Sequence, residues 1–285
     1  MDEQEERLGM IWEDPREAPR TGATVIRKSS GPLDLGVFPH LLMEHLGMLK
    51  PDAVRTVRGE GGILVDNVDP GEAERLAAAL RANGEDCLVV PAAEVIDVPR
   101  PQPIHSVKLT NADMGPVNAA GRQEAAPWEY ARVLVLGHVE VERSQTKSTD
   151  TNPLSRRMPY ARTLGVAGGV VARALDGGGA RSKTTKTSST RTFLEVVFDE
   201  PIRRYRVDSR AFDYSVLGDQ LQPNSEENVQ NFARWLLHCA PRMRVNVDRE
   251  KLMATGKVAI DSHSAHGFDD VVRWIVNLSA FEQRL

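Results

Sequence analysis

An alternating run of valines constrains this chain most. Val133, Val135, Val139 and Val141 occupy alternate positions within Trp128–Arg143, with Gly137 between them. Successive side chains of a strand point to opposite faces, so the pattern predicts a long strand, or a bent pair, with one face buried. A strand needs a partner. The segment of matching character, Thr192–Phe198 (TFLEVVF), lies beyond a long polar stretch. Asp199-Glu200-Pro201 then predicts a turn into a third strand, Ile202–Asp208. The chain must therefore build a mainly antiparallel sheet whose paired strands are separated by an insertion.

That insertion, 143–191, shows the largest shift in composition. It carries Arg143, Lys147, Arg156, Arg157, Arg162, Arg173, Arg181, Lys183, Lys186 and Arg191 against Asp150 and Asp176 alone. The segment is about +8 and the remainder about −12. Both flanks are rich in Ser and Thr. Three readings follow. The segment is a solvated polar loop, or a two-stranded ribbon in which 141–150 pairs with 181–191, or an arm that engages an anionic surface. Arg156, Arg157, Arg162, Arg173, Arg181, Lys183 and Lys186 are the candidate contact residues for a partner or an anion. Tyr160 is its sole aromatic residue, which argues against single-strand base stacking. Thr163–Leu175 is apolar but holds three glycines and is too short to span a bilayer. It is expected to dock on protein rather than on a membrane.

The remainder of the second half reads as helices. Asn224, with Glu227 three residues on, predicts a capped helix to about His238, and Phe268–Leu278 predicts a last helix with Val271, Val272, Ile275 and Leu278 inward. In the first half, residues 33–50 predict an apolar helix with Leu41, Leu42, His45, Leu46 and Leu49 on one broad face. A short helix follows Pro51, and the glycines at 59, 61 and 62 break it. Ile63–Asn67 predicts a strand. Asp69, Pro70 and Glu72 then open a helix with Ala73, Leu76, Ala77 and Leu80 on one face, stopped at Asn83-Gly84. Strands are expected at Thr24–Arg27, Cys87–Val90 and Ile104–Thr110.

These elements predict two small α+β domains. Residues 1–22 read as a disordered acidic tail, 23–111 as the first domain, 112–127 as a linker, and 128–285 as the second domain carrying the insertion. In element order the first domain resembles the ferredoxin-like or amino-acid-sensor (ACT-like) class, and that resemblance implies fold alone. The second faintly resembles the pleckstrin-homology-like arrangement, a bent sheet closed by a C-terminal helix.

Length and composition agree with one large or two modest domains: 285 residues, 41% apolar and 27% charged, with a net charge of −4. That balance disfavours a protein that coats nucleic acid over its whole surface. Two cysteines exclude a disulfide scaffold. The first twenty residues hold seven acids and three arginines, unlike a secretory leader, and no transmembrane run is present. A cytoplasmic location is expected.

The search for chemistry returns little. No phosphate-binding loop, dinucleotide fingerprint or nucleophile elbow is present. Asp261-Ser-His263-Ser-Ala-His266-Gly-Phe-Asp269-Asp270 is the densest ligand-like cluster, so His263 and His266 are weak metal candidates beside an ordinary polar loop. Arg204 and Arg206 share a strand face and, with Arg203 and Arg132, would line an anion site if the strands are neighbours. No cofactor is expected. The leading expectation is a non-enzymatic interaction or assembly protein, its basic insertion mediating self-association or partner contact. The alternatives are a small-molecule sensor built on the first domain, and an enzyme with a site near His263 and His266.

Overall fold

The computed structural model describes residues 20–59, 61–148 and 182–284. It is a mixed α+β structure with several sheets. Its contacts divide the chain into two compact units, 1–139 with 191–285, and 140–190.

The first sheet is built around β1 (Ala23–Arg27), all five residues of which are buried. Strands β2 (Ile63–Val68) and β3 (Cys87–Pro91) flank it in the order β2-β1-β3, both antiparallel to it. Alternation sends Val25 and its partner Val65 to one face. There they meet three helices, α1 (Phe38–Leu46), α2 (Lys50–Val57) and α3 (Pro70–Ala82), in one apolar cluster with Phe38, Leu42, Ala53, Leu76 and Leu80. α3 starts where the sequence predicts. The Asp69 carboxylate accepts from the backbone N–H groups of Gly71 and Glu72, and Pro70 sits in the first turn. α1 is shorter than the expected 33–50. Gly47 ends it in the left-handed conformation, at φ 62°, which leaves Leu49 outside the helix and 72% exposed.

The expected strand Ile104–Thr110 is two strands in two different sheets. β4 (Gln102–Ile104) pairs in parallel with a strand of the large sheet, and β5 (Ser106–Leu109) pairs with β6 (Asp113–Val117). β6 and β7 (Ala126–Pro127) lie inside the segment read as a linker. Met114 is fully buried there, so the stretch is part of the core rather than a tether.

The large sheet holds β8 (Ala131–Ser148), β9 (Ser182–Phe198), β10 (Arg203–Asp208), β11 (Arg244–Val245) and β12 (Ser262–His263). Its order is β11-β8-β9-β10-β4, with β12 also beside β8. One face carries Leu134, Leu136, Leu194, Val196, Tyr205 and Val207 into an apolar core. That core is closed by α4 (Ser225–Cys239), through Val229, Phe232 and Leu236, and by α5 (Arg249–Thr255), through Leu252.

The helix α6 (Ala265–Glu282) belongs to both sheets. It is buried nearly all round, from Phe268 to Phe281, as a helix between two layers must be. Toward the first sheet, the Trp274 indole N–H donates to the Arg27 carbonyl at 2.8 Å. Gly62 permits that approach, because a Cβ there would lie 2.1 Å from the indole. Toward the large sheet, Phe268 packs where Gly137 interrupts the valines, and a Cβ at 137 would lie 2.4 Å from its ring. Asn277 satisfies both backbone groups of Ile96, accepting from its N–H at 2.7 Å and donating to its carbonyl at 3.0 Å.

Asp66 ties α6 to β2. It accepts from the Thr24 hydroxyl at 2.7 Å and from Arg273 at 2.6 Å. Burial works to raise its pKa, but these bonds and the Arg273 charge outweigh it and hold the carboxyl below its ordinary 3.8. The unfolded chain therefore takes up this proton at a higher pH than the folded one. The contribution of Asp66 is complete above the ordinary value and is lost as pH falls through the lowered folded value. Asp66→Asn should flatten the loss of stability below roughly pH 4, read as melting temperature against pH. An unchanged acid slope would remove Asp66 from the acid response.

Candidate functional site

β8 and β9 are neighbours in the large sheet, so the two segments bordering the insertion are paired strands. Lys183 and Lys186 lie on β9. Arg156, Arg157, Arg162, Arg173 and Arg181 lie outside the described residues, as does the apolar stretch 163–175. Arg191, midway along β9, pairs with Asp208 at 2.6 Å.

The four arginines considered for an anion site do not converge. Arg132 pairs with Asp199, and Arg203 with Glu124 at 3.1 Å. Arg204 and Arg206 do share a face, but their charges are already matched. Both guanidiniums donate to Glu195, which is fully buried, and both reach Asp269 in the second turn of α6, at 2.5 and 3.0 Å. Arg206 also lies over the rings of Phe193 and Phe268, 5.1 and 5.6 Å from their centroids. Two cations and two carboxylates close a neutral network between β9, β10 and α6. Sequence reasoning does not single out Glu195. The signal that finds it is its place inside Phe193-Leu194-Glu195-Val196-Val197, a run apolar on both faces, which marks a strand covered on both sides.

His263 and His266 have different surroundings. His263 ends β12, pairs in register with Val139, and stacks 5.8 Å from Phe268. His266 is in the first turn of α6, 90% exposed, with its Nε2 3.8 Å from Asp270. The stretch read as a loop feeding the helix is the helix start itself: Ser264 caps it by accepting from the Gly267 N–H at 2.9 Å. Among the described residues, no group of three His, Cys, Asp or Glu is placed to hold a metal ion.

A hydroxyl, an imidazole and a carboxylate do line up elsewhere. His138 Nδ1 is 3.0 Å from the Thr192 hydroxyl, and its Nε2 is 3.5 Å from Glu226. Thr192 is only 6% exposed, however, and four surface cavities of about 310 to 790 Å³ are lined by none of the three. A nucleophile must meet its substrate, so this line of contacts reads as packing between β8, β9 and α4. The two thiols are equally unsuited to nucleophilic work: burial raises both, and Cys87 is almost wholly enclosed in the α3 core.

One cavity of about 450 Å³ has a mixed lining suited to a small molecule. Leu33, Leu35, Val57 and Trp274 give it an apolar wall, while Arg58, Asp261 and His263 supply polar groups. No helix among the described residues is long and apolar enough to cross a membrane. Compared with known protein families, curated proteins and solved structures, the chain matches none.

Proposed function

We propose that this protein is a non-enzymatic interaction or assembly protein, and that the basic ribbon of β8, β9 and the insertion between them makes the contact, with a second copy or a protein partner. The supporting observation is the length of the two paired strands, 18 and 17 residues. Ordinary strands run about 5–6 residues. The outer sequences, RSQTKS and SKTTKTSSTR, carry no apolar residue to bury. A two-stranded ribbon of that composition is marginal in water on its own, so contact with another surface is its natural source of stability. Its positive excess favours an acidic protein face. Nucleic acid or an anionic surface is the weaker partner, for want of aromatic residues.

The test compares the full chain with a variant lacking 144–190, by native mass spectrometry. The full chain should form a defined oligomer. The variant should be a monomer whose body melts as before. A monomeric full chain with no added mass would defeat the self-association reading.

A second reading, small-molecule sensing that involves the first module, draws on the 450 Å³ cavity, which the first module lines together with Asp261, His263 and Trp274. A metabolite that binds there should raise the melting temperature by mass action. The finer likenesses, ACT-like or ferredoxin-like for 23–111 and pleckstrin-homology-like for 128–285, rest on element order, with helices against one face of β2-β1-β3 and α6 across the large sheet.

A further inference from the structure

A cavity of about 790 Å³ is an open groove with an unusual floor. Its base is Ile63–Asp66 of β2, the edge strand of the first sheet. Among the described residues, no strand pairs with the outer side of β2. α2 forms one wall and the N-terminal half of α6 forms the other. An edge strand presents a row of backbone donors and acceptors to any chain that enters. Two helical walls restrict entry to a single extended strand.

The groove lining carries charge of both signs, Arg55, Arg58 and Arg273 with Asp66 and Asp270. Asp66 is occupied by Thr24 and Arg273, and Asp270, on the α6 wall, lies 3.8 Å from His266 Nε2. At the mouth Arg55 is 80% exposed on α2, and Arg58 is exposed at its end. Among the described residues Arg55 pairs with the exposed Asp52, one turn away, and a surface pair of that kind is weak.

We infer that this groove binds an extended peptide of a partner protein, which adds a strand to β2 and places acidic side chains against Arg55 and Arg58. Main-chain hydrogen bonds supply the affinity, and the arginines select for acid. Four residues of β2 span roughly 13 Å, which sets the length of the recognised segment at four or five residues. No residue of β8 or β9 lines the groove, so it is a second kind of contact: a groove that receives a chain.

The test uses the full chain and a displayed library of random eight-residue peptides. The enriched peptides should be acidic. A chosen one, resynthesised with a fluorophore, should bind at least tenfold more weakly to Arg55→Glu/Arg58→Glu, two exposed changes checked for unaltered melting. The same peptide with alternate backbone amides methylated should lose binding to the unaltered protein, a result that a merely electrostatic contact would not give. An empty selection would overturn the proposal. So would binders indifferent to both glutamates or to methylation, or competition by inorganic phosphate alone (a small-anion site).

Discussion

Glu195→Ala should lower stability by about 3–5 kcal/mol, read as a fall in the urea midpoint at constant m-value. Glu195 is fully buried and is the common acceptor of Arg204 and Arg206. Removing it leaves the guanidinium of Arg204, itself 3% exposed, with Asp269 as its one remaining partner in the network. The penalty is the desolvation of a cation that has lost half its compensation, not the net worth of the ion pair. A second variant separates the two ideas. Replacing Glu195, Arg204 and Arg206 together by apolar residues of similar volume should cost far less than the single change, because no buried charge is left over. Asp269 is 45% exposed and returns to water in that variant. A single alanine that behaves like a surface substitution would mean that water reaches the network.

Trp274→Ala should be comparably damaging, about 3–5 kcal/mol, for a different reason. The indole is 4% exposed and fills the space between α6 and the first sheet, while its N–H holds the Arg27 carbonyl. Truncation opens a cavity and orphans that carbonyl. Gly62→Val approaches the same contact from the other side, forcing a side chain into atoms 2.1 Å away. The two changes should couple. In the double variant the valine enters the space the indole has left, so the combined loss should fall short of the sum of the singles. Strict additivity would show that Gly62 and Trp274 do not share one packing site.

The parts of the fold legible in the sequence are those fixed by local chemistry. Asp69-Pro70 starts a helix because capping and proline geometry need only neighbouring residues. The valines at 133, 135 and 139 form a strand because a period of two has one meaning, and the Ser/Thr flanks of the insertion do lie on paired strands. The misreadings share a cause. Nearness in sequence places β4 with the first module, yet its hydrogen bonds go to β10, about a hundred residues later. Linker composition at 112–127 concealed β6, since Gly115 is there to fit beneath the Gln123 side chain and the Lys108 carbonyl. The pattern at 268–278 predicts one inward stripe for α6. Its sequence already held the warning, because Trp274 and Val276 fall outside the stripe of Val271, Val272, Ile275 and Leu278, and an apolar surface that wide needs two layers to cover it. The groove on β2 was beyond reach, because which strand lies at a sheet edge is a property of topology alone. Arg55 and Arg58 look like any exposed arginines until β2 is placed beside them.

The place of α6 in the chain has a consequence for biogenesis. Every strand it covers precedes it in the chain, so both sheets emerge from the ribosome before the helix that separates their faces. Until residue 282 is made, Trp274's seat against β1 and the strip around Gly137 and Phe193 are uncovered. The faces that α6 covers are therefore completed only after that helix has been made. Nascent chains stalled before Ala265 should be the species that chaperones hold and proteases clear.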